Sequence, residues 1–452
     1  MPGGLLPGPY RILQLGSGTT APWYIIPFDR QGRCEAPATR EQLLYSVQQR
    51  QPSDVYLFSH GWNNAWKKAV ERYDHFVAGY SKLRQDWRLE PGRPYRPLLV
   101  GIFWPSATLV LPWERAPAFA GDSADPGRQD ETVEQERREV EEIAAELHPE
   151  DVERFYQLTQ HASPLPPAEL AEMLAPLYRT ANEEQPAEPQ PPSPNELLEL
   201  WTSKAEDEDA DRLRDFGTID GGPGQPLIDA AGLVPGRLPF GVRDIIRQTT
   251  VWLMKDRAGT VGSRGVAPLL ADLLKASDAR LHLVGHSYGC KVQLSAICAL
   301  PPACTVDSLL LLQPAVNYLC FAKDATGSGQ PGGYRTALRR VDQPVLSTYS
   351  SHDLPLRWAF HRFVRRRSDL GEARIAGAPP SRYAALGGYG PGGIDGESRE
   401  IPILPVGEPY DLGPGAPDVY GIDASTAIGG HGDVSTPATW WALYSQVAAG
   451  RA

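Results

Sequence analysis

Residues 281–292, LHLVGHSYGCKV, run from an alternating apolar stretch through Gly285-His286-Ser287-Tyr288-Gly289 into a series of small side chains. The alternation from Ala279 to Val284 reads as a buried strand, and Gly289, Cys290, Ser295 and Ala296 describe a helix slim enough to lie close on a sheet. A strand that turns abruptly into a helix forces its corner residue into unfavourable backbone angles. Glycines at 285 and 289 fit such a corner, because a side chain at either place would collide with the turn. Ser287 is thereby predicted to stand at a helix N-terminus, where backbone N–H groups stabilise negative charge. With 44 glycines in 452 residues, the pentapeptide alone carries little weight, so its surroundings matter.

A serine hydroxyl is a weak nucleophile until a neighbouring base takes its proton, and that base must be held in the right tautomer. In a parallel sheet the reacting groups collect at the carboxyl ends of strands, which predicts an acid and then a histidine after later strands. Asp353 follows PVLSTYSSH and His431 follows VYGIDASTAIGG, giving the order Ser, Asp, His. Two alternatives stay open for the acid: Asp353 also suits the cap of a helix at LPLRWAFHRFV, with Asp307 or Asp324 as substitutes. Asp433 suits the N-cap of the last helix. Among the other histidines, His282 lies inside a strand, while His75, His148 and His161 read as surface or helix residues. His352 and His361 read as structural.

These pieces resemble the α/β-hydrolase superfamily, with GHSYG as its nucleophile elbow. FSHGWNN followed by GIFWPS is similar to a bacterial serine hydrolase branch in which an HG-x loop follows one strand and a WPS turn the next. The resemblance covers about residues 1–112 and 242–452. It implies an α/β fold with a mostly parallel central sheet covered by helices on both faces. It implies Ser287 as nucleophile, Asp353 as acid and His431 as base. It implies an oxyanion hole from the backbone N–H groups of Trp62 and Tyr288, supported by His60, Gly61, Gly285 and Gly289. His60 is expected to shape the loop by hydrogen bonding and not to carry protons. The expected activity is cleavage of carboxylic esters through an acyl-enzyme, lipase- or esterase-like, with a small-molecule or lipid ester as substrate. A thioesterase or peptidase with the same residues, and a non-catalytic interaction protein on the same scaffold, are the alternatives.

Residues 113–241 interrupt this pattern with amphipathic segments and a Pro-rich acidic stretch, EEQPAEPQPPSPNE. Residues 121–220 hold 27 acids and 8 bases, a net charge of −19 that exceeds the overall −11. The insertion is expected to act as a lid or as a surface for a protein partner. The rest of the chain is mildly basic, which is compatible with peripheral membrane contact. No nucleic-acid-binding module, cofactor fingerprint or recognised metal-ligand spacing is present. GSGTTA and GYGPGG lack the helix that a dinucleotide site requires and read as turns. The five cysteines, odd in number and in apolar company, and the lack of a signal or spanning segment predict a cytoplasmic protein with reduced thiols.

Overall fold

The computed structural model describes residues 7–15, 19–61, 66–87, 95–106, 144, 147–160, 167–178, 193–203, 254–353, 355–359 and 384–449. Nine strands form one sheet: β1 (Arg11–Gln14), β2 (Thr20–Pro27), β3 (Asp54–Ser59), β4 (Pro97–Phe103), β5 (Arg280–His286), β6 (Ser308–Leu312), β7 (Val345–Tyr349), β8 (Ser398–Pro402) and β9 (Val419–Asp423). Their order across the sheet is β1-β2-β4-β3-β5-β6-β7-β9-β8. Only the β1–β2 pair is antiparallel; every other neighbouring pair is parallel. The chain is thus an α/β protein with a mostly parallel sheet.

The central strands read as nearly unbroken apolar runs because both faces are covered, and their alternation sorts the side chains between two cores. Val55, Leu57, Val100, Leu283 and Leu311 point into one core, while Tyr56, Phe58, Leu99, Val284 and Leu310 point into the other. On the first face lie α1 (Pro37–Arg50), α6 (Ala267–Ala276), which continues a π-helical turn at Val261–Val266, and α7 (Tyr288–Ala299). On the second lie α2 (Trp66–Asp86) and α8 (Pro437–Ala449). These two helices cross so closely that a Cβ on Gly79 would fall 1.9 Å from the Trp440 ring. Along α6 and the turn before it, Val266, Leu269, Leu270 and Leu273 are buried and Leu274 is partly so.

Within the insertion, three helices are described: α3 (Val152–Gln160), α4 (Pro167–Tyr178) and α5 (Pro194–Ser203). Phe155, Leu170, Met173, Leu174 and Leu197 are buried and continuous with the first core. The side chain of Leu177 lies outside the described residues, as does most of the acidic stretch. Among the described residues, no helix is long and apolar enough to cross a membrane.

Two elements were not expected from the sequence. Helix α1 carries only a sparse buried stripe, Thr39, Leu43 and Val47. Strand β8 lies inside the Gly/Pro-rich region and is exposed at the sheet edge. One expectation needs correction. Asp433 does not cap the last helix, which begins with Pro437; Thr436 stands at the cap position and exchanges hydrogen bonds with Thr439.

Candidate active site

The corner after β5 has the geometry that its glycines foreshadow. Ser287 has φ 54° and ψ −124°, a region that L-residues avoid, and it immediately precedes α7. Its N–H donates to the Leu312 carbonyl and its own carbonyl accepts from Cys290 and Ala315, so neighbouring backbone holds the strained residue in place. A Cβ on Gly285 would lie 2.7 Å from the Cys290 Cα, and one on Gly289 would lie 2.1 Å from the Ser59 carbonyl oxygen. Neither position has room for a side chain.

Three residues far apart in the chain meet at this corner. The Ser287 hydroxyl lies 2.9 Å from His431 Nε2, and His431 Nδ1 lies 2.8 Å from Asp353 Oδ2. Asp353 follows β7 and His431 follows β9, both at the carboxyl edge of the sheet. Asp353 is fully buried, and the His431 side chain is 10% exposed. Nδ1–H donates to the carboxylate and leaves the Nε2 lone pair facing the hydroxyl, the tautomer needed to accept its proton. Asp353 uses its two oxygens differently: Oδ2 faces His431, and Oδ1 accepts the Leu356 N–H at the start of the turn Pro355–Ala359. Asp307 and Asp324 do not substitute for it. Asp307 accepts the Leu281 N–H at the opposite end of β5, and Asp324 is exposed and organises its own loop.

The HG-x loop abuts the serine. A Cβ on Gly61 would lie 2.7 Å from the Ser287 Cβ. His60 joins this loop to the WPS turn. Its Nε2 accepts the Trp104 N–H at 3.3 Å, its Nδ1 donates to the Gly61 carbonyl at 2.9 Å, and its ring stacks on Trp104 with 5° between planes. The indole N–H of Trp104 donates to the His60 carbonyl, and the Ser106 hydroxyl stands 3.3 Å from Nδ1. Burial pulls the His60 imidazole down to about 4, so it stays neutral near pH 7. Trp62 lies outside the described residues. Tyr288 is the first residue of α7, and its N–H has no acceptor within the helix.

Two residues that the sequence reading passed over support the site. His286 donates from Nε2 to the His431 carbonyl at 2.8 Å, and burial, reinforced by His431 and Arg72, holds its ring well below the ordinary imidazole range. Gln313, the residue after β6, donates from Nε2 to Asp353 Oδ2 at 2.9 Å. His286 was visible as the first x of G-x-S-x-G, whereas Gln313 carries no local pattern. Of the remaining histidines, His282 is buried, and His75, His148 and His352 are exposed. His161 and His361 lie outside the described residues.

Comparison with protein-family models, curated proteins and solved structures gives no match to this chain.

Proposed function

We propose that the chain is a serine hydrolase of the α/β-hydrolase fold that cleaves carboxylic esters. The observation that carries this reading is the unbroken line from the Ser287 hydroxyl through His431 to the buried Asp353 carboxylate, beginning at a serine held in a strained backbone conformation. Supporting it is the placement of serine, acid and base after β5, β7 and β9, on one edge of a sheet whose order reverses around β3 and β4.

Ser287 Oγ attacks the acyl carbonyl carbon while its proton passes to His431 Nε2. Asp353 keeps the imidazole oriented and stabilises its positive charge. The tetrahedral oxyanion is bound by the N–H of Tyr288 and by that of Trp62, beside the Gly61 backbone that borders the serine. Collapse expels the alcohol, which takes the proton from His431, and leaves an acyl-serine. Water then gives a proton to His431 and attacks the acyl carbon, and return of that proton to Ser287 releases the carboxylic acid.

A fluorophosphonate probe tests this reading. The parent protein is expected to label, the Ser287→Ala variant is expected not to, and a parent that fails to label would overturn the catalytic assignment. A chain-length series of p-nitrophenyl esters then separates a short-chain esterase from an enzyme for acyl lipids.

A further inference from the structure

We propose that Gln313 is a positioning residue that sets both the aim and the basicity of Asp353, an inference that rests on the serine hydrolase reading above. Three features single it out. Gln313 is fully buried. It has φ 45°, a left-handed conformation that a glutamine seldom adopts. Its side-chain amide is satisfied on every side: Nε2 donates to Asp353 Oδ2 at 2.9 Å and to the Gly387 carbonyl at 3.2 Å, and Oε1 accepts from the Thr348 hydroxyl at 2.9 Å.

This network also fixes which way the amide faces. Turning it over would set its oxygen against a carboxylate and a carbonyl, so the donor must point at Asp353. Thr348 locks the same residue from the backbone side, because its hydroxyl accepts the Gln313 N–H at 3.0 Å. Gly387 closes the other side, where an added Cβ would fall 2.5 Å from the Gln313 carbonyl carbon. The left-handed turn is therefore built to bring one amide donor to one carboxylate oxygen, the same oxygen that receives His431 Nδ1.

A carboxylate oxygen that accepts two donors is less basic than one that accepts a single donor. Gln313 accordingly limits how strongly Asp353 draws the proton of the imidazolium, and it prevents the carboxylate plane from turning away. Among the described residues, His286 meets the His431 ring and carbonyl with His60 near it, Arg72 of α2 donates to the Gly432 carbonyl, the Arg357 guanidinium donates to the Gly388 carbonyl, and Asp433 lies against Gly430. His60 and His286 remain neutral through burial. Substitution of Gln313 leaves these groups in place.

The test uses Gln313→Met, which keeps the length of the side chain and removes the donor, and Thr348→Val, which removes the anchor of the amide and keeps Gln313. Each is compared with the parent in the pH profile of p-nitrophenyl ester hydrolysis and in the NMR titration of the His431 ring in histidine-labelled protein. For Gln313→Met we expect kcat to fall about tenfold with KM within about twofold, as for loss of one hydrogen bond to a charged group. The acid limb and the ring titration are expected to move together to higher pH. Thr348→Val should move both in the same direction by less, and it decides the matter if the methionine variant does not fold. An unchanged acid limb and ring titration, with thermal stability alone reduced, would show Gln313 to be a packing residue and overturn the proposal. If the parent neither labels with fluorophosphonate nor hydrolyses esters, the hydrolase reading falls, and the ring titration still decides whether Gln313 governs the pair.

Discussion

A non-glycine residue at φ 54° is a cost that the fold must offset elsewhere, and Ser287 carries that cost where its hydroxyl is needed. Alanine and glycine both remove the hydroxyl, but only glycine accepts the backbone angles freely. The Ser287→Gly variant should therefore be more stable than Ser287→Ala by about 1 kcal/mol in urea unfolding, with neither variant labelling. Equal stabilities would mean that the corner is not strained. At this scale the candidate nucleophile was legible because its glycines sit at fixed offsets on a strand-to-helix corner. His431 and Asp353 were legible because they follow strands in the expected order. Gln313 was not, since its role depends on a left-handed turn after β6 and on a carboxylate 40 residues away in sequence, and neither leaves a trace in nearby residues.

Helix α7 owes its place to the absence of a side chain at its second residue. Gly289 lets the helix start settle onto the end of β3, within 2.1 Å of where a Cβ would meet the Ser59 carbonyl. Because the obstacle is backbone, it cannot swing aside. Gly289→Ala is expected to destabilise the protein by about 1–3 kcal/mol and to lower kcat by shifting Tyr288 N–H and Ser287 together, measurable by denaturant titration beside fluorophosphonate labelling rate. Elements of this kind, pinned by long apolar runs and fixed glycines, could be read from the chain: β3, β4, β5, β7, β9 and α7. Helix α1 escaped notice because its polar residues outnumber its three buried positions. Strand β8 escaped because an exposed edge strand needs no apolar alternation and sits among glycines and prolines that signal turns.

Among the described residues, a second Ser–His–Asp cluster lies at the other ends of the strands from the candidate active site. Opposite the candidate active site, at the amino ends of β3, β5 and β6, the fully buried Asp54 meets Arg280, and His282 bridges Asp54 Oδ1 at 3.2 Å to the Ser308 hydroxyl at 2.7 Å. All three members of this Ser–His–Asp line are fully buried. Burial raises the Asp54 carboxyl, but His282, Arg280 and Ser53 together outweigh it and hold the group below the usual carboxylate range. A carboxyl depressed in the folded state stabilises the fold above its unfolded value of about 4. That contribution disappears as the pH falls from there through the folded value. Asp54→Asn should cost about 3 kcal/mol at pH 7 by stranding Arg280, and its unfolding midpoint should vary less between pH 5 and pH 2 than that of the parent. A parallel pH profile in the two proteins would remove Asp54 from the account.

Strand β5 reaches from Arg280 to His286, and seven extended residues separate its ends by about 20 Å. Protein engineers thus have two handles on one beam: acid tolerance can be tuned at one end while the candidate active site is altered at the other, with little cross-talk between the two campaigns.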